Sequence, residues 1–173
     1  KDAIRWIKKF KNENPTHKIV VTGCSAQVDT DEFTNVSEVD LIIANSHKNE
    51  IQDILNRYLK KESDEKVFKS NIFKNEDLGL GGGEEKLHTR SFLKIQDGCN
   101  SFCTFCVIPF ARGKSRSLPA KVIVSKIQDL ESQGVKEVVL TGVHIGDYED
   151  EDASDLTSLV DFVLKSTQSI RVR

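Results

Sequence analysis

Short apolar runs alternate along this chain with stretches of helical periodicity, and this order constrains the fold more than any other feature. Residues 18–22 (KIVVT) and 39–44 (VDLIIA) are mostly apolar, include β-branched residues and predict buried strands. Apolar residues recur at helical spacing before the first run, at Ala3, Ile7 and Phe10, with Pro15 ending that stretch. They recur after the second run at Ile51, Ile54, Leu55, Tyr58 and Leu59. Two strands separated by about one helix's length predict a parallel sheet and an α/β fold.

The same alternation returns in the second half of the chain. Strands are predicted at residues 92–96, 137–140 and 169–173. A helix between the first two has Pro119 in its first turn and Gly134 at its end, with an apolar stripe at Ile123, Ile127 and Leu130. A second helix follows Ser154 and carries Leu156, Leu159, Val160 and Val163. This order predicts the opening of a parallel (β/α) barrel that stops after two and a half units, with chemistry in the loops that follow the strands.

Residues 61–90 differ from both halves, because they are polar, mixed in charge and rich in glycine at residues 79–83. They predict a linker between a domain at residues 1–60 and a domain at residues 91–173. A phosphate-binding loop is the alternative, but no Lys-Ser or Lys-Thr pair follows these glycines. Gly113-Lys114-Ser115 fails the same test, since Ile108 stands where that motif needs its first glycine.

The composition is that of a globular protein, with 38% hydrophobic and 30% charged residues, and it contains no apolar run long enough for a membrane span. Three of the four cysteines lie within eight residues, and no signal peptide opens the chain, so metal binding in the cytoplasm is predicted over a disulfide framework. Met is absent and the first residue is Lys, which favours a piece of a longer protein over processing or chance.

The net charge and the charge distribution give opposite indications about nucleic-acid binding. The net charge of −2 argues weakly against it, yet every charged residue in residues 107–128 is basic. Every charged residue in residues 147–155 is acidic. Either run can be a solvated face, and that is the interpretation we adopt for the acidic run.

The spacing of Cys99, Cys103 and Cys106, C-x3-C-x2-C, is the strongest chemical signal. Three thiolates on one short loop bind three irons of a [4Fe–4S] cluster and leave the fourth iron open to a substrate. S-adenosylmethionine can chelate that iron through its amino nitrogen and carboxylate oxygen, which places its sulfonium beside the cluster for one-electron cleavage. Phe105 can cover the cluster and pack near the adenine.

Two alternatives remain for the cysteine loop. A zinc site would need a fourth ligand such as His88 or His144, although the spacing is wrong for a zinc knuckle, and the thiols can also be a chance grouping.

Thr141, Gly142 and His144 follow the second predicted strand and are expected to meet the methionine part of the cofactor, with Gly142 allowing close approach of the backbone. Strand-ending glycines are also common turn formers. His144 and Asp147 can line the site, although a lone loop histidine is commonly solvated.

With these motifs in view, the chain resembles the radical S-adenosylmethionine methylthiotransferases. The resemblance rests on residues 92–100 (FLKIQDGCN), 108–113 (IPFARG) and 140–146 (LTGVHIG). Residues 20–27 (VVTGCSAQ) extend it to the first domain, and it implies that Cys24 is the last of three ligands to an auxiliary [4Fe–4S] cluster. Cys24 by itself would be interpreted as a buried thiol. The resemblance further implies that residues 1–60 are the C-terminal part of the methylthiotransferase domain and residues 91–173 the N-terminal part of the radical SAM barrel.

Within the family, KIQDGCN and LTGVHIG most resemble the enzymes that act on tRNA N6-threonylcarbamoyladenosine. This implies transfer of a methylthio group to carbon 2 of adenosine 37, with two S-adenosylmethionine molecules consumed and an electron donor required. The tRNA anticodon loop is then the partner, and Arg112, Lys114 and Arg116 are expected to line it, whereas Lys121 and Lys126 can equally be a solvated helix surface.

Three alternatives to this substrate and function stay open. They are a methylthiotransferase for isopentenyladenosine, one for a ribosomal protein, and a zinc or Fe–S binding module without catalysis. No Cys precedes Cys24, the barrel stops at its third strand and the RNA-binding β-domain usual in the family is missing. The chain alone is therefore expected not to transfer sulfur.

Overall fold

The computed structural model describes residues 2–75, 78 and 90–173, and it divides into two compact units. The first unit comprises Lys1–Asn75 and Thr104–Gly113, and the second comprises Glu76–Cys103 and Lys114–Arg173. The glycine-rich residues 79–83 and the candidate zinc ligand His88 lie outside the described residues. The predicted boundaries at residues 60 and 90 remain a prediction.

The first unit is built on a parallel sheet in the order β1-β2-β3. In chain order its elements are α1 (Asp2–Glu13), β1 (Val20–Gly23), α2 (Cys24–Val28), α3 (Thr30–Thr34), β2 (Leu41–Ala44), a 3-10 helix (Asn45–Glu50), α4 (Ile51–Leu59), β3 (Val67–Phe68), a 3-10 turn (Ile72–Lys74) and α5 (Ile108–Arg112). Val20 pairs with Leu41 and Ile42 with Val67. The parallel sheet predicted from the two apolar runs is confirmed. Strand β3 was not predicted, and it lies within the segment predicted as a linker.

The central strand β2 is buried along its whole length because both of its faces are covered. Leu41 and Ile43 pack with Ile54 of α4 on one face. Ile42 packs on the other face against a cluster that includes Phe33 of α3. A strand covered on both sides needs a continuous hydrophobic run rather than an alternating one, which explains the sequence LIIA.

Asp40, at the start of β2, anchors the loop that precedes β1. Its carboxylate accepts a hydrogen bond from the Ile19 N–H at 2.9 Å and pairs with Lys18 at 2.9 Å and Lys11 at 3.2 Å. Burial raises the pKa of this carboxyl group, but the Ile19 N–H and the two ammonium groups outweigh burial and lower the pKa to about 2. The ionised carboxylate therefore stabilises the first unit.

We expect Asp40→Asn to lower the free energy of unfolding at pH 7 by about 1–3 kcal/mol, because Asn keeps an acceptor for Ile19 but loses both ion pairs. The folded pKa lies below the unfolded one, so this stabilisation is complete above about pH 4 and is lost as the pH falls through about 2. Urea unfolding at pH 7 and pH 3 measures both effects. Glu13→Gln, which removes an exposed pair with Lys9, is the control and should cost little. Equal stability of Asp40→Asn and wild type at pH 7 would contradict this assignment.

The second unit contains a parallel sheet in the order β4-β7-β8 and a separate two-stranded ribbon. Its elements are β4 (Arg90–Lys94), β5 (Gln96–Asp97), β6 (Arg116–Ser117), α6 (Ala120–Ser132), β7 (Glu137–Thr141), a 3-10 turn (Ile145–Asp147), α7 (Leu156–Ser166) and β8 (Arg171–Val172). The three predicted strands are parallel, as expected for (β/α) units. The strand predicted at residues 92–96 is in fact divided, since β4 ends at Lys94 and β5 pairs antiparallel with β6.

The core of the second unit joins both helical stripes to the sheet. Leu93 and Val138 of the strands are fully buried with Ile123 and Ile127 of α6 and with Leu159 of α7. The predicted stripes are therefore confirmed as core-facing at Ile123, Ile127 and Leu130 of α6 and at Leu156, Leu159 and Val163 of α7. No helix in the described part of the chain is both long and apolar enough to cross a bilayer.

The acidic run at residues 147–155, which we interpreted as a solvated face, also shapes the unit. The Asp150 carboxylate accepts a hydrogen bond from the Ala120 N–H at 2.9 Å, in the first turn of α6. Asp155 accepts one from the Ser158 N–H at 2.7 Å and so caps α7, one residue after the predicted start at Ser154. Carboxylates suit these positions because helix N-termini carry unpaired N–H groups and partial positive charge.

Candidate functional site

The segment that carries the three clustered cysteines begins at the ribbon formed by β5 and β6. Gln96 pairs with Ser117 and Asp97 with Arg116, so the chain leaves the ribbon at Gly98 and returns to it at β6. Gly98 has φ +77, and its N–H donates to the Asp97 carboxylate at 3.0 Å. A glycine suits this turn because a positive φ is costly for residues with a side chain.

All four cysteines are free thiols. Cys99 is half-buried and its sulfur accepts a hydrogen bond from the Ser101 N–H at 3.4 Å. Cys103 is exposed, and Cys106, which belongs to the first unit, is half-buried. Between the first two cysteines, Phe102 has φ +46, a left-handed conformation that costs a bulky residue about 1–3 kcal/mol. The chain thus turns sharply before Cys103, the one exposed thiol of the three.

Cys99 lies beside the loop that follows β7. The Cys99 sulfur and ligand atoms of His144 and Asp147 all lie within 4.8 Å of one another. The His144 Nδ1 and Asp147 Oδ2 atoms are 2.8 Å apart, and the imidazole is 52% exposed. The structure therefore brings together His144 and Asp147, two residues predicted to line the site, with the first residue of the cysteine motif.

Thr141 and Gly142, both predicted to contact the cofactor, have contacts within the second unit. The Thr141 carbonyl accepts a hydrogen bond from the Ile95 N–H at 2.9 Å, and its hydroxyl donates to the Leu93 carbonyl at 3.3 Å. A Cβ on Gly142 would lie 2.9 Å from Gln96 Oε1 and 3.1 Å from Gln96 Cβ. The close approach that this glycine permits in the structure is to Gln96.

Cys24 stands at the carboxyl end of β1, where α2 begins. It is half-buried, and its sulfur lies 3.7 Å from the Asn45 amide nitrogen, which also donates to the Ala111 carbonyl at 2.8 Å. Gly23, immediately before it, has φ +103 and so turns the chain between strand and helix. Because Cys24 and Asn45 follow neighbouring parallel strands, they share one edge of the sheet.

The other predicted site residues differ in exposure. Phe105, expected to cover a cluster, is 91% exposed. Arg112 ends α5 in the first unit and is half-buried, while Lys114 is exposed and Arg116 is half-buried in the second unit. Lys121 is exposed and pairs with Asp152 at 2.8 Å, which agrees with a solvated helix surface for that lysine.

Known proteins resemble this chain along most of its length. The model of the Radical SAM superfamily matches residues 93–163. The threonylcarbamoyladenosine tRNA methylthiotransferase MtaB of Aquifex aeolicus is 41% identical, over 92% of this chain and 39% of its own length. The protein of the same name from Bacillus subtilis is 32% identical, over 99% of this chain and 39% of its own length. The chain belongs to the radical SAM methylthiotransferase family.

Relatives with other substrates in their names belong to the same family. The ribosomal protein uS12 methylthiotransferase RimO of Clostridium botulinum is 32% identical, over 80% of this chain and 31% of its own length. A tRNA-2-methylthio-N(6)-dimethylallyladenosine synthase of Thermodesulfovibrio yellowstonii is 35% identical, over 83% of this chain and 32% of its own length. The chain therefore spans between 31% and 39% of the length of these four relatives.

A radical SAM domain implies a [4Fe–4S] cluster and S-adenosylmethionine, and the donor set fits such a cluster. Cys99, Cys103 and Cys106 are reduced, close in sequence and at least partly accessible to solvent, as cluster ligands must be before assembly. The group of Cys99, His144 and Asp147 offers sulfur, nitrogen and oxygen, a mixed set that zinc also accepts. The structure thus gives the zinc alternative a specific place in the second unit, beside His144.

Gln96 is the residue of this site that sequence reasoning did not single out. It is fully buried, although its type is commonly exposed. The signal available was its position, as a polar residue at the end of a strand and two residues before the glycine-cysteine pair. Its role in the site becomes evident only from its contacts with residues 142–144 in the structure.

Proposed function

We propose that this chain holds a [4Fe–4S] cluster through Cys99, Cys103 and Cys106 and presents S-adenosylmethionine to it from the loop after β7. The observation that carries the proposal is the position of the Cys99 sulfur within 4.8 Å of ligand atoms of His144 and Asp147 in the second unit. It brings the first cysteine of the motif to the strand end where the family resemblance expects the cofactor. The free thiols and the Radical SAM match over residues 93–163 support the same assignment.

The chain's own residues have defined tasks in this proposal. When bound, the cluster supplies the electron that cleaves the bond between the sulfonium and carbon 5′ of S-adenosylmethionine. The three thiolates hold it and leave one iron open to substrate. Gly142 keeps the loop close to Gln96, and His144, paired with Asp147, lies where it can bind a polar part of the cofactor. Phe105 is exposed and free to pack on the adenine.

We propose further that the whole protein methylthiolates carbon 2 of N6-threonylcarbamoyladenosine at position 37 of tRNA. The names and identities of the MtaB relatives support this substrate. Cys24 is then one ligand of an auxiliary [4Fe–4S] cluster, and its half-buried position at the carboxyl edge of a parallel sheet suits a ligand. Arg112, Lys114 and Arg116 contact the anticodon loop. The protein acts in the cytoplasm and requires an electron donor.

Other functions have specific support. Isopentenyladenosine-type and ribosomal-protein substrates are favoured by the two relatives named for them, at 35% and 32% identity. A zinc-binding module without catalysis is favoured by the mixed group of Cys99, His144 and Asp147. Metal content separates the last from the others, whereas nucleoside analysis separates the substrates.

The test of the proposed substrate is mass spectrometry of tRNA nucleosides from cells that lack the whole protein. We expect the 2-methylthio derivative of N6-threonylcarbamoyladenosine to disappear and its unmodified precursor to accumulate. The wild-type gene should restore it, and a Cys103→Ala gene should not. An unchanged nucleoside profile would contradict a tRNA substrate. Loss of the 2-methylthio isopentenyladenosine derivative instead would assign the other tRNA substrate.

A further inference from the structure

The side chain of Gln96 is fully buried and both ends of its amide are bonded. Its Oε1 accepts a hydrogen bond from the His144 N–H at 2.9 Å. Its Nε2 donates to the Gly98 carbonyl at 2.8 Å and to the Ser115 hydroxyl at 2.9 Å. The orientation of the amide is fixed by its partners, since a backbone N–H must face the oxygen and a carbonyl must face the nitrogen.

These bonds join three separate segments of the second unit. Gly98 immediately precedes Cys99, Ser115 immediately precedes β6, and His144 lies in the loop after β7. Ser115 is tied to the cysteine segment a second time, because its N–H donates to the Asn100 side chain at 3.0 Å. One buried amide therefore connects the start of the cysteine segment to the loop beside it.

The space around Gln96 is as specific as its hydrogen bonds. A Cβ on Gly142 would meet Gln96 Oε1 at 2.9 Å and Gln96 Cβ at 3.1 Å, both closer than ordinary van der Waals contact. Gln96 can therefore occupy this position only because residue 142 is glycine. The sequences KIQDGCN and LTGVHIG, far apart in the chain, meet at this contact.

We propose that Gln96 is a positioning residue that sets the placement of the loop at residues 142–147 relative to Cys99. This inference deepens the proposed function and rests on it, because it assigns S-adenosylmethionine to that loop. A buried amide without its hydrogen-bond partners destabilises the folded state. The hydrogen bonds of Gln96 therefore favour one arrangement of the loop over others. Gln96 itself needs no contact with the cofactor, because it acts through the His144 N–H and the Gly98 carbonyl.

Gln96→Met is the main test, since Met has similar length and volume but makes none of these hydrogen bonds. The matched control is Gln128→Met, because Gln128 is an exposed glutamine of the same unit whose Nε2 donates to the Ser166 carbonyl at 2.8 Å. In the whole protein we expect Gln96→Met to keep its iron and to raise KM for S-adenosylmethionine about tenfold, with a smaller change in kcat for 5′-deoxyadenosine formation. The control should match wild type.

Two further measurements do not depend on turnover. We expect amide hydrogen exchange at His144 in the metal-free chain to be about tenfold faster in Gln96→Met than in wild type, with exchange in the core of β7 unchanged. In the reduced, iron-loaded protein, S-adenosylmethionine should shift the electron paramagnetic resonance spectrum of wild type, and Gln96→Met should need more cofactor for the same shift.

Gln96→Glu provides a second variant if Gln96→Met folds poorly. It keeps the volume and the acceptor for the His144 N–H. Because burial favours the protonated form of the new carboxyl group, its single O–H can donate to the Gly98 carbonyl but not also to the Ser115 hydroxyl. We expect it to retain protection at His144 and to have an intermediate KM. Wild-type KM and wild-type exchange at His144 in Gln96→Met would overturn the inference. If wild type itself forms no 5′-deoxyadenosine, the proposed function fails, whereas the exchange measurement still tests the role of Gln96 in holding the loop.

Discussion

Cys103→Ala is expected to remove the iron from this chain. Anaerobic reconstitution of the wild-type chain should load close to four irons on the cysteine loop, with broad absorption near ~400 nm typical of thiolate-bound clusters. With Cys103 gone, only two thiolates of the motif remain, and two are too few to retain a cubane with one open iron. Iron analysis and the absorption spectrum measure the loss.

The matched control is Cys24→Ala in the same chain. Cys24 is the only cysteine outside the motif, and a single thiolate cannot hold a second cubane, so its removal should leave the iron content of the chain unchanged. The competing result is tight zinc in freshly purified anaerobic protein. If that zinc is lost in His144→Ala, the group of Cys99, His144 and Asp147 is a zinc site and the cluster assignment is wrong.

Gly142→Val is expected to abolish 5′-deoxyadenosine formation in the whole protein while leaving its iron in place. The new Cβ would lie 2.9 Å from Gln96 Oε1, so the Gln96 side chain must move and its bond to the His144 N–H is broken. Overpacking of this kind costs typically about 1–3 kcal/mol. The cysteines are on a different strand end, so the cluster should still assemble.

Gly146→Val is the control for this prediction, because Gly146 lies in the same loop and a Cβ there meets no atom within 4 Å. We expect it to retain its iron and, unlike Gly142→Val, to keep wild-type hydrogen exchange at the His144 amide, because the Gln96–His144 bond is undisturbed. Liquid chromatography with mass spectrometry measures the product, and circular dichroism checks that both variants are folded. Product formation by Gly142→Val at the wild-type rate would show that S-adenosylmethionine binds elsewhere.

The longer elements of the fold could be predicted from the sequence because their periodicity is strong. The stripe of Ile123, Ile127 and Leu130 becomes the buried face of α6, and the run LIIA becomes the fully covered strand β2. The short ribbon was missed for a physical reason. Strands β5 and β6 have two residues each, too few to show alternation, and they are held by pairing between residues distant in the chain.

The candidate site divides in the same way. The cysteine motif is local, so its spacing alone predicts its chemistry. Gln96 contacts Gly142 and His144, and His144 is 48 positions away from it in the chain. In the sequence alone, a single glutamine in a strand resembles a solvent-facing residue. The acidic run was likewise interpreted as solvated because capping by Asp150 depends on where α6 begins in space.

The most direct test of the cluster and S-adenosylmethionine assignment is formation of 5′-deoxyadenosine by the whole protein. The anaerobic, iron-loaded protein is incubated with S-adenosylmethionine and a low-potential reductant, and the products are measured by mass spectrometry. We predict 5′-deoxyadenosine that depends on the reductant, with Cys103→Ala yielding none above the control without protein. A fully iron-loaded, reduced wild-type protein that forms no 5′-deoxyadenosine would contradict the assignment.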